Sequence, residues 1–117
     1  MRRDLPNGDL PALILAVLGS EPRHGYSIAR EVEQLSNDAL RMKEGALYPA
    51  LRVLEQDGLI LGQWEPQEKG ASRKVYTLTE AGKREMAKRT QELHDYVRMI
   101  EAVLEKLGQG DGHAQPA

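Results

Sequence analysis

Five basic side chains stand in two groups on either side of one segment of the sequence, and cationic side chains are the groups that bind the phosphates of nucleic acids. Their positions are Arg41 and Lys43 before the segment and Lys69, Arg73 and Lys74 after it. Within residues 41–74, basic side chains outnumber acidic ones six to five, although the whole chain has a net charge of −2. The negative total argues mildly against a nucleic-acid partner. A fold that brings the two groups to one face would nevertheless create a phosphate-binding surface.

Patterns for catalysis and metal binding do not occur in the sequence. The chain has no cysteine, which excludes disulfides, thiolate metal sites and thiol catalysis. Its three histidines are scattered. We interpret His24 as a turn or capping residue; His94 and its neighbour Asp95 point in different directions on a predicted helix, and His113 is near the end of the chain. No glycine-rich phosphate loop or nucleophile motif is present, so we predict no metal site, no cofactor and no enzymatic activity.

The segment between the two basic groups, EGALYPALRVLEQDGLI (residues 44–60), predicts a helix with one apolar side. The apolar side comprises Leu47, Ala50, Leu51 and Leu54, and the opposite side comprises Gly45, Pro49, Arg52 and Gln56. Gly58 is expected to end the helix. Tyr48 lies on the flank of the polar side, so we interpret it as exposed; the alternative is a half-buried tyrosine that packs on a hairpin. A polar and aromatic outer face is what a helix presents to phosphates and base edges.

Two further helices and a hairpin complete the predicted domain. Residues 10–18 are apolar nearly all round, which predicts a central helix. A second helix follows the turn at residues 22–25, with an apolar face of Ile28, Ala29, Val32 and Leu35. Residues 59–65 and 74–78 have the pattern of short strands joined by the polar turn PQEKGASR. We interpret Trp64 as a residue that packs the hairpin on the core, with ligand stacking as the alternative.

The C-terminal third of the chain predicts one long helix. Thr79 is a good N-cap, and the apolar positions of residues 80–107 recur at alternating spacings of three and four, which is a heptad pattern. Such a helix is about 42 Å long, longer than a domain of this size can cover. Its candidate dimer-interface residues are Met86, Leu93, Tyr96, Val97, Ile100, Val103, Leu104 and Leu107. The alternative is a helix folded back on the first helix. Residues 108–117 are rich in glycine and are predicted to be a disordered tail.

These elements are the parts of a winged helix-turn-helix, so we predict a mainly α (α+β) fold with a two-stranded β wing and a long C-terminal dimerisation helix. The predicted organisation is a DNA-binding domain at residues 1–79, a dimerisation helix at residues 80–107 and the tail at residues 108–117. In this architecture the third helix enters the major groove. The longest apolar run, residues 12–18, is too short to span a bilayer, and we expect a soluble, cytoplasmic protein without a membrane partner.

Three motifs are more specific than the architecture: HGYSIAREVEQL, GALYPALRVLEQDGLI and RKVYTLTEAGK, in this order and at these separations. Together they resemble the PadR family of bacterial transcriptional regulators over about residues 10–88. The resemblance implies a winged-helix repressor that binds DNA as a homodimer through its C-terminal helix. Some members of the family release DNA on binding a phenolic acid or an amphipathic drug. Many members have Ser or Thr where this chain has Ala46, and some drug-binding members use a tryptophan that the C-terminal helix here lacks.

The predicted function is a homodimeric, sequence-specific transcriptional repressor that binds a palindromic operator in double-stranded DNA; a small-molecule effector is left open. The candidate DNA-binding residues are Tyr26, Lys43, Gly45, Ala46, Tyr48, Pro49, Arg52, Lys69, Arg73 and Lys74. A competing hypothesis is a winged-helix module whose third helix docks on a partner protein, which the acidic balance of the chain would suit. For the basic residues, the alternative is a solvated surface without a nucleic-acid partner.

Overall fold

The most apolar helix of the sequence lies at the centre of the fold. In the computed structural model, which describes residues 2–114, α1 (Leu10–Leu18) contacts α2 (Gly25–Leu35), α3 (Glu44–Gln56) and α4 (Glu80–Ala114). Ile14 and Leu15 of α1 are fully buried. This burial confirms the predicted central helix. A segment that is apolar on all sides is stable where other elements surround it.

Five short strands accompany the four helices in the described part of the chain. In order, the elements are β1 (Arg3–Asp4), a 3-10 turn (Asn7–Asp9), α1, β2 (Arg23–His24), α2, β3 (Leu40–Arg41), α3, β4 (Ile60–Glu65), β5 (Arg73–Leu78) and α4. The third helix and the hairpin of β4 and β5 lie within about one residue of their predicted positions. Gly58 has a φ angle of +74° after α3, the left-handed conformation that ends a helix.

The wing sheet has one strand more than predicted. β4 and β5 pair antiparallel, from Ile60 opposite Leu78 to Glu65 opposite Arg73, and β2 pairs with the other edge of β5. The two-stranded wing is confirmed as the hairpin of β4 and β5, and β2 adds a third strand to its sheet, in the order β2-β5-β4. Two residues are too few to show the period of a strand, so the sequence pattern could not indicate β2. A second small sheet, also not predicted, pairs β1 parallel with β3.

The core contains the inner faces that the sequence predicts for α2 and α3. Its buried members on these helices are Ile28, Ala29, Val32, Leu47, Leu51 and Leu54. Leu35 is an exception to the prediction, because it is 72% exposed at the last residue of α2. Ile60 and Tyr76 attach the wing to the core. Burial of the inner side of α3 thereby fixes which side of this helix faces solvent.

Helix α4 is longer than predicted and extends beyond the domain. It has 35 residues and runs to Ala114, and the molecule measures 65 × 30 × 21 Å. Residues 108–114, predicted to be disordered, continue the helix instead, because a helix that has already formed gains a hydrogen bond with each further residue. Residues 115–117 of the predicted tail lie outside the described residues.

The first part of α4 packs on the core of its own chain, and the second part does not. Met86, a predicted interface residue, lies against Gly19 and the core, and Leu93 is half-buried beside the start of α1. Met86 therefore packs on the core of its own chain. The sequence could not show this, because a heptad pattern does not reveal which partner covers each position. Farther along α4, six predicted interface residues are 43–62% exposed, namely Tyr96, Val97, Ile100, Val103, Leu104 and Leu107.

The start of α4 passes very close to the backbone of the segment that directly precedes β4. Thr79 caps the helix as predicted, since its hydroxyl accepts the N–H of Gly82 at 3.0 Å and donates to the carbonyl of Gly58 at 2.7 Å. Gly82 lies so close to the carbonyl oxygen of Leu59 that a Cβ atom at this position would overlap it. The crossing therefore requires glycine at position 82.

We expect Gly82→Ala to lower the free energy of unfolding by about 1–3 kcal/mol, because the added methyl group forces two backbone segments apart. Gly108→Ala is the control in the same helix: no atom lies near a Cβ there, and the change should stabilise the helix by about 0.5–1 kcal/mol. Urea unfolding at one fixed protein concentration, followed by circular dichroism, measures both changes. Equal stability of Gly82→Ala and the parent protein would contradict the close crossing.

Candidate nucleic-acid interface

A cleft of about 570 Å³ separates the outer side of α3 from the wing. The side chains in its walls include Tyr26 on α2, Tyr48 and Arg52 on α3, Trp64 on β4, and Arg73 and Lys74 on β5. All of these except Trp64 are predicted DNA-binding residues, so the fold brings half of the predicted set around one cavity. An open cleft with converging cations and aromatic rings is suited to phosphates and base edges.

The other predicted DNA-binding residues lie outside the walls of the cleft. Gly45 and Pro49 are exposed on α3, and the helix continues through Pro49 although this residue has no N–H to donate. Ala46 is half-buried and packs on the core, so its methyl group is partly withdrawn from the outer face. Lys43 directly precedes α3, and Lys69 lies in the loop between β4 and β5. These residues surround the cleft along the same helix and hairpin.

Tyr48 is packed on one edge and exposed on the rest of its ring. A Cβ atom at Gly25 would come within 2.8 Å of the ring, so the tyrosine lies directly on the start of α2. The side chain is 41% exposed towards the cleft. Contact with α2 therefore orients Tyr48, while a large part of the ring remains accessible. Arg52, one turn farther along α3, is exposed.

His24 caps α2, as predicted. Its Nδ1 accepts the N–H of Ser27 at 3.3 Å, and its Nε2 lies 3.3 Å from Nη1 of Arg73. A neutral imidazole has one acceptor nitrogen and arginine can only donate, so the ring that caps α2 cannot also accept from Arg73. Partial burial, and secondly the charge of Arg73, lower the pKa of His24. Arg73 therefore lies against the capping ring and keeps its donors for another acceptor.

Lys74, a predicted DNA-binding residue, forms an ion pair with a carboxylate of α3. Its Nζ lies 2.9 Å from Oε1 of Glu55 on α3 and stands over the rings of Trp64 and Tyr76, 5.9 and 5.5 Å from their centres. The hydrogen bond to Glu55 raises the pKa of Lys74. A DNA phosphate would have to compete with Glu55 for this ammonium group. The partners are 19 positions apart, and no local pattern of the sequence indicates the pair.

Trp64 is 68% exposed, so its interpretation as a residue that packs the wing on the core is wrong. The core contact of β4 is made by Ile60 at the other end of the strand. Because a strand rises more than 3 Å per residue, position 64 lies well beyond that contact. There the indole ring faces the cleft beside Lys74.

A second carboxylate holds the cations that precede α3. Asp4 of β1 accepts from Nε of Arg41 at 2.8 Å and lies 2.9 Å from Nζ of Lys43. Hydrogen bonds from Lys43 and Arg41 lower the pKa of Asp4. The parallel pairing of β1 with β3 brings the acid to this place, and a two-residue strand leaves no signal in the sequence. Both basic groups of the sequence thus contain a cation that is held by an acid from another element.

The fold and the cleft together define a protein of the winged-helix class, with the third helix and the wing on one face. Across residues 2–114, no helix is both long and apolar enough to cross a membrane. Among residues 2–109, no three acidic or histidine side chains come close enough together to hold a metal ion.

Known proteins resemble this chain in sequence and in fold. Residues 14–88 match the profile of the transcriptional regulator PadR-like family. The chain is 32% identical to the transcriptional regulator Rv3488 of Mycobacterium tuberculosis, with 66% of this chain and 68% of the relative covered. It is 30% identical to the transcriptional regulator YqjI of Escherichia coli, with 86% of this chain and 44% of the relative covered. A solved PadR family transcription regulator from Clostridium difficile superimposes with a TM-score of 0.69 at 30% identity, covering 83% of this chain and 99% of that structure.

The chain belongs to the PadR-like family of transcriptional regulators, which confirms the resemblance of its three motifs. Members of this family regulate transcription by binding DNA and are not enzymes. The chain spans less than half the length of the Escherichia coli relative, so the match concerns one part of that protein.

Protonation of His24 is expected to destabilise the fold. Because its pKa in the folded protein lies below the ordinary value of 6.5, the stabilisation is fully present above pH 6.5 and is lost as the pH falls through the lowered pKa. We expect His24→Asn, which caps a helix without titrating, to lose less stability than the parent between about pH 7.5 and about pH 5. Thermal unfolding at the two pH values measures the difference.

The control for this prediction is His94→Asn, which replaces an exposed histidine of α4 and should keep the parent's pH dependence. If His24→Asn and the parent lost equal stability on acidification, protonation of His24 would have no part in the loss.

Proposed function

We propose that the chain is a homodimeric, sequence-specific repressor that recognises a palindromic DNA operator with α3 and the wing of each subunit. The observation that carries the proposal is the position of Arg52 and Tyr48 on the outer side of α3, across one cleft from Arg73 of the wing. The third helix of this architecture enters the major groove, where arginine is the side chain that most often contacts guanine. Repression is the role that the resemblance of the motifs implies. A small-molecule effector is not part of the proposal.

The proposal assigns different contacts to the two sides of the cleft. Arg52 and Tyr48 contact base edges, and exposed Gly45 and Pro49 let the start of α3 approach the DNA backbone. Phosphates are contacted by the cations on either side of α3, namely Lys43, Lys69 and Arg73. Phosphate contacts fix the register of a protein on DNA but carry no sequence information, so sequence preference depends on α3.

Six apolar side chains on the second half of α4 support the dimer. They are 43–62% exposed in the single chain and follow the heptad spacing of a helix that packs on another helix. Burying the exposed half of each aliphatic side chain against a second copy would contribute about 0.7–1.8 kcal/mol. A second copy is the proposed partner because a two-fold axis places two α3 helices on half-sites about one turn of DNA apart.

We expect Arg52→Ala to weaken binding to the operator by about 1–3 kcal/mol, because it removes a base contact. Binding to a random duplex should change much less. The parent protein first selects its operator from a pool of random duplexes, and gel-shift titrations at several salt concentrations then measure both affinities. For a DNA-binding surface, the logarithm of the affinity should fall linearly with the logarithm of the salt concentration.

Two further arginine substitutions calibrate this measurement. Arg73→Ala should weaken the operator and the random duplex alike and flatten the salt dependence, as expected for a phosphate contact. Arg84→Ala removes the same charge from an exposed position on α4, outside the cleft walls, and should leave operator affinity unchanged. Parental operator affinity of Arg52→Ala would contradict the proposed interface. A parent protein that selects no duplex would favour the module that docks on a partner protein.

We expect Val97→Asp combined with Ile100→Asp to give a folded or partly folded monomer. The two carboxylates would be buried in the proposed interface without partners, which is strongly destabilising for a complex. The monomer should not bind the operator at concentrations at which the parent saturates it. Analytical ultracentrifugation measures the mass of both proteins, and gel shifts measure binding.

The matched control for the dimer combines Ala102→Asp with Gln109→Asp, which adds the same charge to the side of α4 opposite the heptad positions. This protein should have the same mass and DNA affinity as the parent. If the Val97 and Ile100 double mutant remained a dimer with full DNA affinity, the second half of α4 could not be the interface.

A further inference from the structure

One carboxylate connects α3 to both strands of the wing hairpin. Oε1 of Glu55 lies 2.9 Å from Nζ of Lys74 on β5, and Oε2 accepts the N–H of Gly62 on β4 at 3.3 Å. The side chains of Glu55 and Lys74 are 31% and 29% exposed, so water only partly surrounds the pair. Glu55 is the one acidic residue among the described residues that line the cleft.

Gly62 leaves the space in which this bridge forms. A Cβ atom at position 62 would overlap Cε of Lys74 and would come within 3.1 Å of both Oε2 of Glu55 and the ring of Tyr76. The sheet has the strand order β2-β5-β4, so β4 is an edge strand. The outward N–H groups of an edge strand have no partner strand. Glu55 supplies an acceptor to one of these groups. The glycine and the carboxylate therefore form a single structural unit.

The charge of Glu55 is unfavourable for direct contact with DNA. Phosphates repel a carboxylate, and this carboxylate also neutralises Lys74, a cation that could otherwise bind a phosphate. If Glu55 acted on DNA by its charge alone, its removal would strengthen binding to every duplex. Its contacts have a different consequence, because they join the wing to the helix that carries Arg52.

We propose that Glu55 is a positioning residue for DNA recognition, which holds the wing in a fixed relation to α3 through Lys74 and Gly62. The inference rests on the proposed function of α3 and the wing. Operator binding requires the base contact of Arg52 and the phosphate contact of Arg73 at the same time. A wing that moved relative to α3 would lose conformational freedom in making both contacts, and the bridge removes this cost before DNA binds. The benefit is greatest on the operator, where both contacts are made in one register.

Two substitutions break the bridge by different routes. Glutamine at position 55 keeps one acceptor oxygen of the two, so its amide NH₂ group would face either Lys74 or the N–H of Gly62. Gly62→Ala changes no charge and displaces the side chain of Lys74 from its present place. The control is Glu105→Gln, which removes the same charge from an exposed position on α4, outside the cleft walls and the proposed interface residues, where Glu105 forms no ion pair with another described residue.

We expect the ratio of operator affinity to random-duplex affinity to fall about tenfold in Glu55→Gln and in Gly62→Ala, a loss similar to that of one base contact. Glu105→Gln should keep the parental ratio. Gel-shift titrations on the operator selected by the parent protein and on a random duplex measure both affinities. If Glu55→Gln bound both duplexes more tightly by the same factor, or if Gly62→Ala kept the parental ratio, the positioning role would be overturned.

Arg52→Ala is measured in the same titrations so that the two proposals can fail separately. If Arg52→Ala loses selectivity while Glu55→Gln and Gly62→Ala keep it, the positioning role is wrong and the interface stands. If Arg52→Ala keeps its selectivity too, both proposals are wrong. Hydrogen exchange of the Gly62 amide without DNA tests the bridge directly. Glu55→Ala should accelerate this exchange several-fold, and an unchanged rate would overturn the bridge.

Discussion

Burial of α1 is the constraint on which the rest of the structure depends. A helix that is apolar on all sides must be covered on all sides, and α2, α3 and the first part of α4 provide the cover. Because α3 packs with the side that carries Leu47, Leu51 and Leu54, Arg52 and Tyr48 face solvent. The same packing places the start of α4 on the core and leaves its second half outside. The core thus determines both surfaces on which the proposed function depends.

An acidic chain can still present cations on one surface, although two of its acids are paired with cations of that surface. Asp4 holds two cations before α3, and Glu55 holds one in the wing. These pairs reduce the positive charge of the surface, but they order long side chains that would otherwise be mobile. Arg52 and Arg73 form no ion pair with another described residue, so in the proposed interface their donors are available to DNA. In the proposed interface, a few placed cations rather than the total charge of −2 account for DNA binding.

The helices, the hairpin and the family could be predicted from the sequence because each has a local signal, such as the glycine at position 58 that ends α3. The misses depend on contacts between distant segments. Glu55 and Lys74 come together only where the wing packs on α3, so the sequence around either residue does not predict the ion pair. Trp64 is exposed because the hairpin carries it past the core. The heptad pattern continues unchanged from Met86 in the core to the exposed residues of α4, so periodicity could not separate intrachain packing from an interface.

In the proposed dimer, two distances set the preference for one DNA sequence. Within a subunit, the bridge of Glu55 sets the distance from α3 to the wing. Between subunits, α4 sets the distance from one α3 to the other, and this distance depends on the angle at which α4 leaves the core. Gly82 crosses Leu59 without room for a side chain, and Met86 packs on Gly19, so the angle is fixed at two points. Changes far from the DNA could therefore alter the spacing of the half-sites, and sequence preference depends on the packing of α4 as well as on the side chains that contact DNA.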